Sequence, residues 1–190
     1  NATGVIVHSA ESCRMGTEWY GADAIKDWCV VPLLRPAVDI TPHDREKART
    51  KLGFKKDDLV ICTFGHITQT KLGTTLLSAF KACQFPTDQR VKLVFVGEIN
   101  SFYEAEFQVE NMSETGKVSQ VTGWVDTHDY LDYLLSTDIA VQLRSMSRGE
   151  TSASVLDCLT HGIATIVNAH GSMLELDPET VMGISDPFFE

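Results

Sequence analysis

Between residues 59 and 184 the chain alternates short apolar runs with longer amphipathic segments, and this alternation limits its possible folds more than any other feature. Six of the runs are apolar almost throughout: Leu59–Phe64, Val91–Val96 and residues 118–121, 138–143, 163–167 and 181–184. The segments between them have apolar residues at helical spacing. Strands that are apolar along their whole length are buried on both faces, as in a parallel sheet covered by helices on both sides. The pattern therefore predicts an α/β fold with a doubly wound, Rossmann-like parallel sheet.

The first 36 residues have a weaker pattern that predicts a separate unit. Short apolar runs at residues 4–8 and 28–31 flank a polar, helix-compatible stretch, and the prolines that follow indicate a linker. Thr41 and Pro42 then have the order of a helix N-cap and first helical residue, and that helix should end at Gly53. We expect residues 1–36 to hold the end of one domain and a linker. Residues 37–190 should form the α/β domain, truncated at its C-terminus.

Composition excludes several classes of partner. The formal net charge of −10 argues against nucleic acid as the main partner, because a phosphate backbone requires basic surface. No run approaches the ~18 apolar residues of a membrane span, and the first residues do not form a signal peptide. The five cysteines lack metal-ligand spacing and are typical of reduced residues in a cytoplasmic protein.

The residues with notable chemistry follow the predicted strands. In a parallel α/β sheet, ligands bind beyond the carboxyl ends of the strands. Four segments of this chain take that position: residues 65–71, 97–98, 144–152 and 168–175. We therefore expect the candidate site residues to lie together at one edge of the sheet.

The segment after the first of these strands predicts a phosphate contact. Gly65 allows a turn that a side chain would obstruct, and Lys71 supplies a cation for a diphosphate, with Arg144 as a second positive charge at a neighbouring strand end. His66 either donates to the phosphate or caps the loop, and the alternative for Lys71 is a solvated surface lysine. The chain has neither G-x-x-x-x-G-K-[ST] nor G-x-G-x-x-G, so the sequence does not indicate a P-loop or a nicotinamide cofactor.

Residues 147–162 predict a second group of contacts, where a strand passes into a helix. Glu150 and Asp157 are seven residues apart, which on a helix brings them to within about 20° of the same direction. Thr151 and Ser152 supply free backbone amides at the helix start, which is a natural position for a phosphate. Acids that bind hydroxyls beside amides that bind phosphate suit a sugar nucleotide. The alternative is a capped helix with solvated acids.

The last of the four segments adds two candidates. Gly171 permits a close approach of the backbone to a ligand, and Glu175 can accept from a hydroxyl or an amide. Asp157 lies in an otherwise apolar helical stretch, where an acid is costly unless it faces a cleft or has a partner. We therefore expect Asp157 to have a specific function.

In their order along the chain, these segments resemble the C-terminal nucleotide-sugar-binding domain of family 4 retaining glycosyltransferases, which have the GT-B fold. The resemblance covers nearly the whole chain. It rests on residues 5–9, 30–33, 64–71, 93–97, 121–125 and 138–141 together with the acidic helix. The family signature is a Glu, seven residues, and a second Glu in a helix that ends at Gly. Counted from Glu150 the second position is Cys158, whereas counted back from Gly162 it is Asp157, and we prefer the latter because it keeps a carboxylate.

The resemblance assigns roles to individual residues. It implies that Glu150 contacts the donor sugar, that Asp157 binds the ribose hydroxyls and that Lys71 binds the diphosphate. The family's usual arginine is replaced by His66. Residues 171–175 are similar to the family's G-G-x-x-E, with Ser in the second position.

The implied reaction is transfer of a sugar, of the hexosyl type, from a nucleotide diphosphate to an acceptor hydroxyl with retention and without a metal or other cofactor. The implied partners are the nucleotide-sugar donor and a carbohydrate or lipid-linked acceptor bound by an N-terminal domain. The full-length protein would be cytoplasmic or peripheral to a membrane, and this fragment alone would be inactive. Two alternatives are a non-catalytic nucleotide-binding module and a GT-B sugar-nucleotide epimerase.

Overall fold

The structure, a computed structural model, describes residues 3–83, 88–113 and 116–186. The helices are α1 (Ala10–Tyr20), α2 (Ala22–Ile25), α3 (Pro42–Lys51), α4 (Gly73–Ala82), α5 (Glu104–Glu110), α6 (Thr127–Ser136) and α7 (Ala153–Thr160). The strands are β1 (Val5–Val7), β2 (Trp28–Val30), β3 (Leu59–Phe64), β4 (Val91–Val96), β5 (Met112–Ser113), β6 (Gly116–Lys117), β7 (Gln120–Val121), β8 (Ile139–Gln142), β9 (Ala164–Asn168) and β10 (Met182–Ile184). Two short 3₁₀ turns, Gln69–Lys71 and Gly171–Glu175, lie in loops at the edge of the sheet.

Six strands form one parallel sheet in the order β10-β9-β8-β3-β4-β7. The inner strands β3 and β4 are largely buried, and their alternate side chains point to opposite faces of the sheet. Val60, Cys62 and Phe64 pack into one cluster with α6 and α7, whereas Ile61 packs into another with α4 and α5. The predicted doubly wound α/β sheet is confirmed.

One predicted strand is shorter than the apolar run suggested. Of residues 118–121, only β7 pairs with the sheet. The Asn111 side-chain oxygen accepts from both the backbone N–H and the hydroxyl of Ser119, each at 2.8 Å. The Ser119 amide is thus occupied by a buried side chain and does not join the ladder.

The start of the chain forms a separate small sheet, in which β1 and β2 pair in parallel beside α1. Residues 31–40 have no regular secondary structure, and α3 then begins at the predicted Pro42. The Thr41 hydroxyl accepts from the Asp44 amide, and the Asp44 carboxylate accepts from the Thr41 amide, which makes a complete capping box.

Candidate functional site

The order of the strands identifies the edge where a ligand fits best. The chain proceeds from β3 outwards through β4 to β7, and then returns to place β8 on the other side of β3. The loops that leave β3 and β8 therefore diverge to opposite faces of the sheet and leave a crevice at their carboxyl ends. The residues that follow these two strands include Gly65, Lys71, Arg144 and Glu150, all predicted site residues.

Two glycines let the ends of β3 and β4 touch. A Cβ atom on Gly97 would lie 2.1 Å from the carbonyl oxygen of Gly65, so only glycine allows this contact. Gly65 has a φ of +102°, which side chains rarely adopt. Beyond them, the Ile67 amide donates to the Glu98 carbonyl at 2.8 Å, and His66 is exposed beside this pairing. The crevice therefore has a floor of bare backbone.

Lys71 is the last residue of the 3₁₀ turn that follows β3. Its ammonium group lies close to Gly65. Its Nζ is 3.4 Å from the point that a Gly65 Cβ would occupy. Burial and the nearby positive charge of Arg144 lower the pKa of Lys71 to about 8, and the charge of Glu150 opposes this shift. Within the described residues, Lys71 Nζ has neither a hydrogen bond nor an ion pair. It is a partly buried cation that no anion contacts in the part of the chain that the structure describes.

Glu150 is held by the loop that follows β8. Its carboxylate accepts from the Arg144 guanidinium and, at 2.7 Å, from the backbone N–H of Arg148. Partial burial acts to raise the pKa of Glu150, but these donors outweigh it, and the pKa lies below its usual value. Glu150 is therefore an oriented carboxylate anion at neutral pH.

Polar contacts fix this loop to its neighbours. The side chain of Asn168, at the end of β9, accepts from the Arg144 amide at 2.7 Å and donates to the Arg144 carbonyl at 2.6 Å. The Ser145 amide donates to the Thr70 carbonyl at 2.9 Å, which connects the loop to the turn that carries Lys71. A cavity of about 440 Å³ lies beside this connection, lined by Thr70, Met146, Arg148 and Glu150.

Helix α7 begins slightly later than the sequence predicted. Ser152 is its N-cap residue, and Thr151 precedes it in an extended loop. The Thr151 hydroxyl donates to the His8 carbonyl at 2.9 Å, and the Ser152 hydroxyl lies 3.2 Å from that of Ser154. No side chain caps the first turn of α7, so its free amides start at Ala153.

Asp157 is bound by two protein side chains. Its Oδ1 accepts from Nε of Arg35 at 2.5 Å, and its Oδ2 accepts from the hydroxyl of Tyr130 at 3.1 Å. Cys158, the other candidate for the second acidic position, is fully buried, and burial raises the pKa of its thiol to about 12. Sequence reasoning missed both partners of Asp157, because neither has a local motif that marks it.

The predicted residues of the last segment contact other parts of the protein. A Cβ atom on Gly171 would lie 2.2 Å from the Ser147 hydroxyl, so the close approach that glycine permits here is to the loop after β8. The Ser172 hydroxyl donates to the Glu150 carbonyl at 2.7 Å. The Glu175 carboxylate accepts from the two amides that start α1, those of Ala10 and Glu11, at 3.0 and 2.7 Å.

The structure thus brings Gly65, Lys71, Arg144 and Glu150 together in the crevice, whereas the carboxylates of Asp157 and Glu175 are bound by protein donors. In the described ranges, no three His, Cys, Asp or Glu side chains are grouped so that they could hold a metal ion. None of the helices described has the length and hydropathy needed to cross a membrane.

The sequence model of the family described as "Glycosyl transferases group 1" matches residues 44–184. This range includes the whole six-stranded sheet and all of the predicted site residues. No functionally curated protein sequence matches the chain.

Several solved structures share the fold at low sequence identity. HepE from Anabaena, in complex with UDP-glucose, is 14% identical with a TM-score of 0.79, covering 98% of this chain and 50% of that one. WaaG, a glycosyltransferase involved in lipopolysaccharide biosynthesis, is 14% identical with a TM-score of 0.76, covering 96% and 49%. Sucrose-phosphate synthase from Thermosynechococcus elongatus is 19% identical with a TM-score of 0.72, covering 98% and 46%. The chain therefore spans about half the length of each of these proteins.

Proposed function

The chain belongs to the glycosyl transferases group 1 family, and we propose that it is the donor-binding part of a retaining glycosyltransferase of family 4. In this proposal the crevice between β3 and β8 binds a nucleotide diphosphate sugar. Residues 37–190 form the donor domain, and residues 1–36 are the end of an acceptor-binding domain and its linker. The acceptor is a carbohydrate or lipid-linked hydroxyl compound, and the protein works in the cytoplasm or at its membrane surface.

The observation that carries the proposal is the unpaired ammonium of Lys71. A partly buried cation is unfavourable unless an anion completes the site, and a diphosphate is an anion of suitable charge. Glycine at position 65 lets the Lys71 ammonium lie close to the main chain at the end of β3. Arg144 adds positive charge beside it, since it contributes to the lowered pKa of Lys71. The HepE complex with UDP-glucose supports a donor of this chemical class.

These charges suit the chemistry of sugar transfer. The bond between the anomeric carbon and the diphosphate oxygen breaks, the acceptor oxygen forms a new bond on the same face, and the acceptor's proton passes to the leaving diphosphate. Negative charge develops on the leaving diphosphate, and fixed cations stabilise it in the transition state. We propose that Lys71 and the first amides of α7 provide this stabilisation without a metal or other cofactor.

Glu150 orients the sugar in this scheme. Arg144 and the Arg148 amide hold its carboxylate as an anion, and its remaining acceptor positions are available to the hydroxyls of a hexose. A carboxylate that fixes the sugar ring contributes through orientation of the reacting carbon. Asp157 binds the ribose hydroxyls of the same donor.

Calorimetric binding of UDP and of uridine to the purified protein tests the proposal, with GDP, ADP and their nucleosides in parallel. Lys71→Ala should weaken UDP about ten- to hundredfold, because one charge-assisted contact is lost. Uridine lacks the diphosphate, so its binding should not change. Lys56→Ala is the matched control, since Lys56 is exposed at the opposite end of the sheet.

The same experiment extends to catalysis in the protein as encoded in full. Glu150→Gln should keep UDP affinity but abolish transfer from, or hydrolysis of, the sugar nucleotide. An equal loss of UDP and uridine binding in Lys71→Ala would remove Lys71 from the site. If Glu150→Gln left transfer intact, the catalytic role of this loop would be wrong.

A further inference from the structure

The Asp157 carboxylate has a donor on each of its oxygens. Arg35 binds one oxygen through Nε, and the Tyr130 hydroxyl binds the other. The side chains of Arg35 and Asp157 are 24% and 22% exposed, so the ion pair is largely but not fully removed from water. A carboxylate accepts about four hydrogen bonds in total, so each oxygen of Asp157 has one acceptor position left.

Both donors are themselves fixed. A second nitrogen of Arg35, Nη1, donates to the Leu34 carbonyl at 3.1 Å. The ring of Tyr130 packs edge-on against Phe64, with 5.4 Å between centroids, and Phe64 is the last residue before Gly65. Burial and the negative charge of Asp157 raise the pKa of Tyr130, so its hydroxyl stays protonated and donates. The Asp157 carboxylate is therefore held in one orientation, next to the strand end that forms the floor of the crevice.

We propose that Arg35 and Tyr130 are positioning residues that orient the Asp157 carboxylate to accept the two vicinal hydroxyls of a nucleotide ribose. This inference rests on the proposed function, because it requires a ribonucleotide in the crevice. Each Asp157 oxygen takes one protein donor and one ribose hydroxyl. Arg35 thereby makes the segment between the small sheet and α3 a working part of the donor site.

The physical reason is preorganisation. A free aspartate side chain would have to be ordered when the ribose binds, and that ordering reduces affinity. Arg35 and Tyr130 order it in advance, and the positive charge of Arg35 offsets the cost of partial burial of the carboxylate. Their removal should therefore weaken only those ligands that have ribose hydroxyls.

The test compares UDP with 2′,3′-dideoxy-UDP by calorimetry on the full protein and its variants. Arg35→Gln should weaken UDP about tenfold, as expected for a charge-assisted contact, and leave the dideoxy analogue unchanged. Tyr130→Phe should produce a smaller loss with the same selectivity, and Arg35→Lys should restore part of the UDP affinity. The double variant Arg35→Gln/Asp157→Asn should bind UDP no more weakly than Asp157→Asn alone, because the residues act as a unit.

A matched control comes from the Arg45–Asp138 ion pair. This pair lies at the amino end of β8, which is the end of the sheet opposite the crevice. Arg45→Gln should leave both affinities unchanged.

Equal losses for the two nucleotides in Arg35→Gln would show a purely structural ion pair, and tighter UDP binding would show that Arg35 competes with the ribose. Either result would overturn this inference while Lys71-dependent UDP binding still supported the proposed function. If the unaltered protein bound neither nucleotide, both proposals would fail. Should Arg35→Gln not fold, Tyr130→Phe decides the same comparison.

Discussion

At the scale of single residues, the two cations of the crevice differ in how their charge is used. Arg144 is paired with Glu150, and its backbone is held on both sides by Asn168. Lys71 has no such partner among the described residues and has a pKa lowered to about 8. Lys71 is thus a partly buried, unpaired positive charge at the point where we propose that the diphosphate binds.

This lowered pKa predicts how nucleotide binding depends on pH. A bound diphosphate stabilises the charged ammonium, so the complex keeps a proton that the free protein loses as pH rises through about 8. UDP affinity should therefore fall between pH 8 and 10, with proton uptake on binding. Calorimetry at a series of pH values, in buffers of different ionisation enthalpy, measures both effects.

The control for this prediction is Lys71→Arg. A guanidinium stays charged over the whole range, so the affinity of this variant should change little between pH 7 and 10. If the unaltered protein showed the same flat profile, Lys71 would not be the titrating group.

At the scale of elements, the site depends on how closely β3 and β4 approach at their carboxyl ends. Two sheet hydrogen bonds continue past the strands there, from the Gly65 amide to the Val96 carbonyl and from the Ile67 amide to the Glu98 carbonyl. The Thr122 hydroxyl also accepts from the Gly97 amide at 3.1 Å. Glycine at position 97 is therefore needed for packing as well as for its conformation.

Gly97→Ala should lower the free energy of unfolding by roughly 2–4 kcal/mol, because the new Cβ meets the Gly65 carbonyl in addition to the strain of a φ of +155°. Gly162→Ala is the control for strain alone, since Gly162 has a φ of +65° and nothing within 4 Å of its Cβ position. That change should cost about 1–2 kcal/mol. Denaturant unfolding of both variants gives the comparison, and equal losses would show that the contact with Gly65 is unimportant.

At the scale of the whole molecule, the start of α1 is fastened to the edge of the large sheet. Glu175 caps the first amides of α1, and the hydroxyls of Ser9 and Ser12 both donate to the Gly149 carbonyl. A Cβ atom on Gly149 would lie 2.7 Å from the Cα of Ser12. The loop that carries Glu150 is therefore packed directly against the small N-terminal unit.

Glu175→Ala should loosen this contact, because a carboxylate that caps a helix also interacts favourably with its dipole. We expect the free energy of unfolding to fall by about 1 kcal/mol, and hydrogen exchange to accelerate in residues 10–20 but not in α7. Glu179, an exposed acid on the same segment, provides the control variant Glu179→Ala. Similar exchange in both variants would contradict a capping role for Glu175.

The sequence by itself determined the elements whose interactions are local. The capping box of Thr41 and Asp44 spans three residues, and apolar runs such as Leu59–Phe64 need only burial on both faces to become inner strands. It also determined that Gly65, Lys71, Arg144 and Glu150 follow strands, and parallel strands bring their carboxyl ends to one edge. The fold class was therefore predictable. The exception is the apolar run at residues 118–121, which forms a shorter strand than predicted. Asn111, which lies outside this run, binds Ser119 and keeps it out of the sheet.

Only the tertiary structure decided which partner each polar group of the site has. Arg35 and Asp157 are 122 residues apart, and Glu175 binds amides 164 and 165 residues away. Such pairs form because packed elements bring distant segments together. A carboxylate accepts hydrogen bonds equally well from donors that are near or far in the sequence. The pattern of apolar residues identifies what must be buried. It does not specify which of many equivalent donors will lie within 3 Å of a given oxygen, and that choice separates the unpaired Lys71 from the paired Arg144.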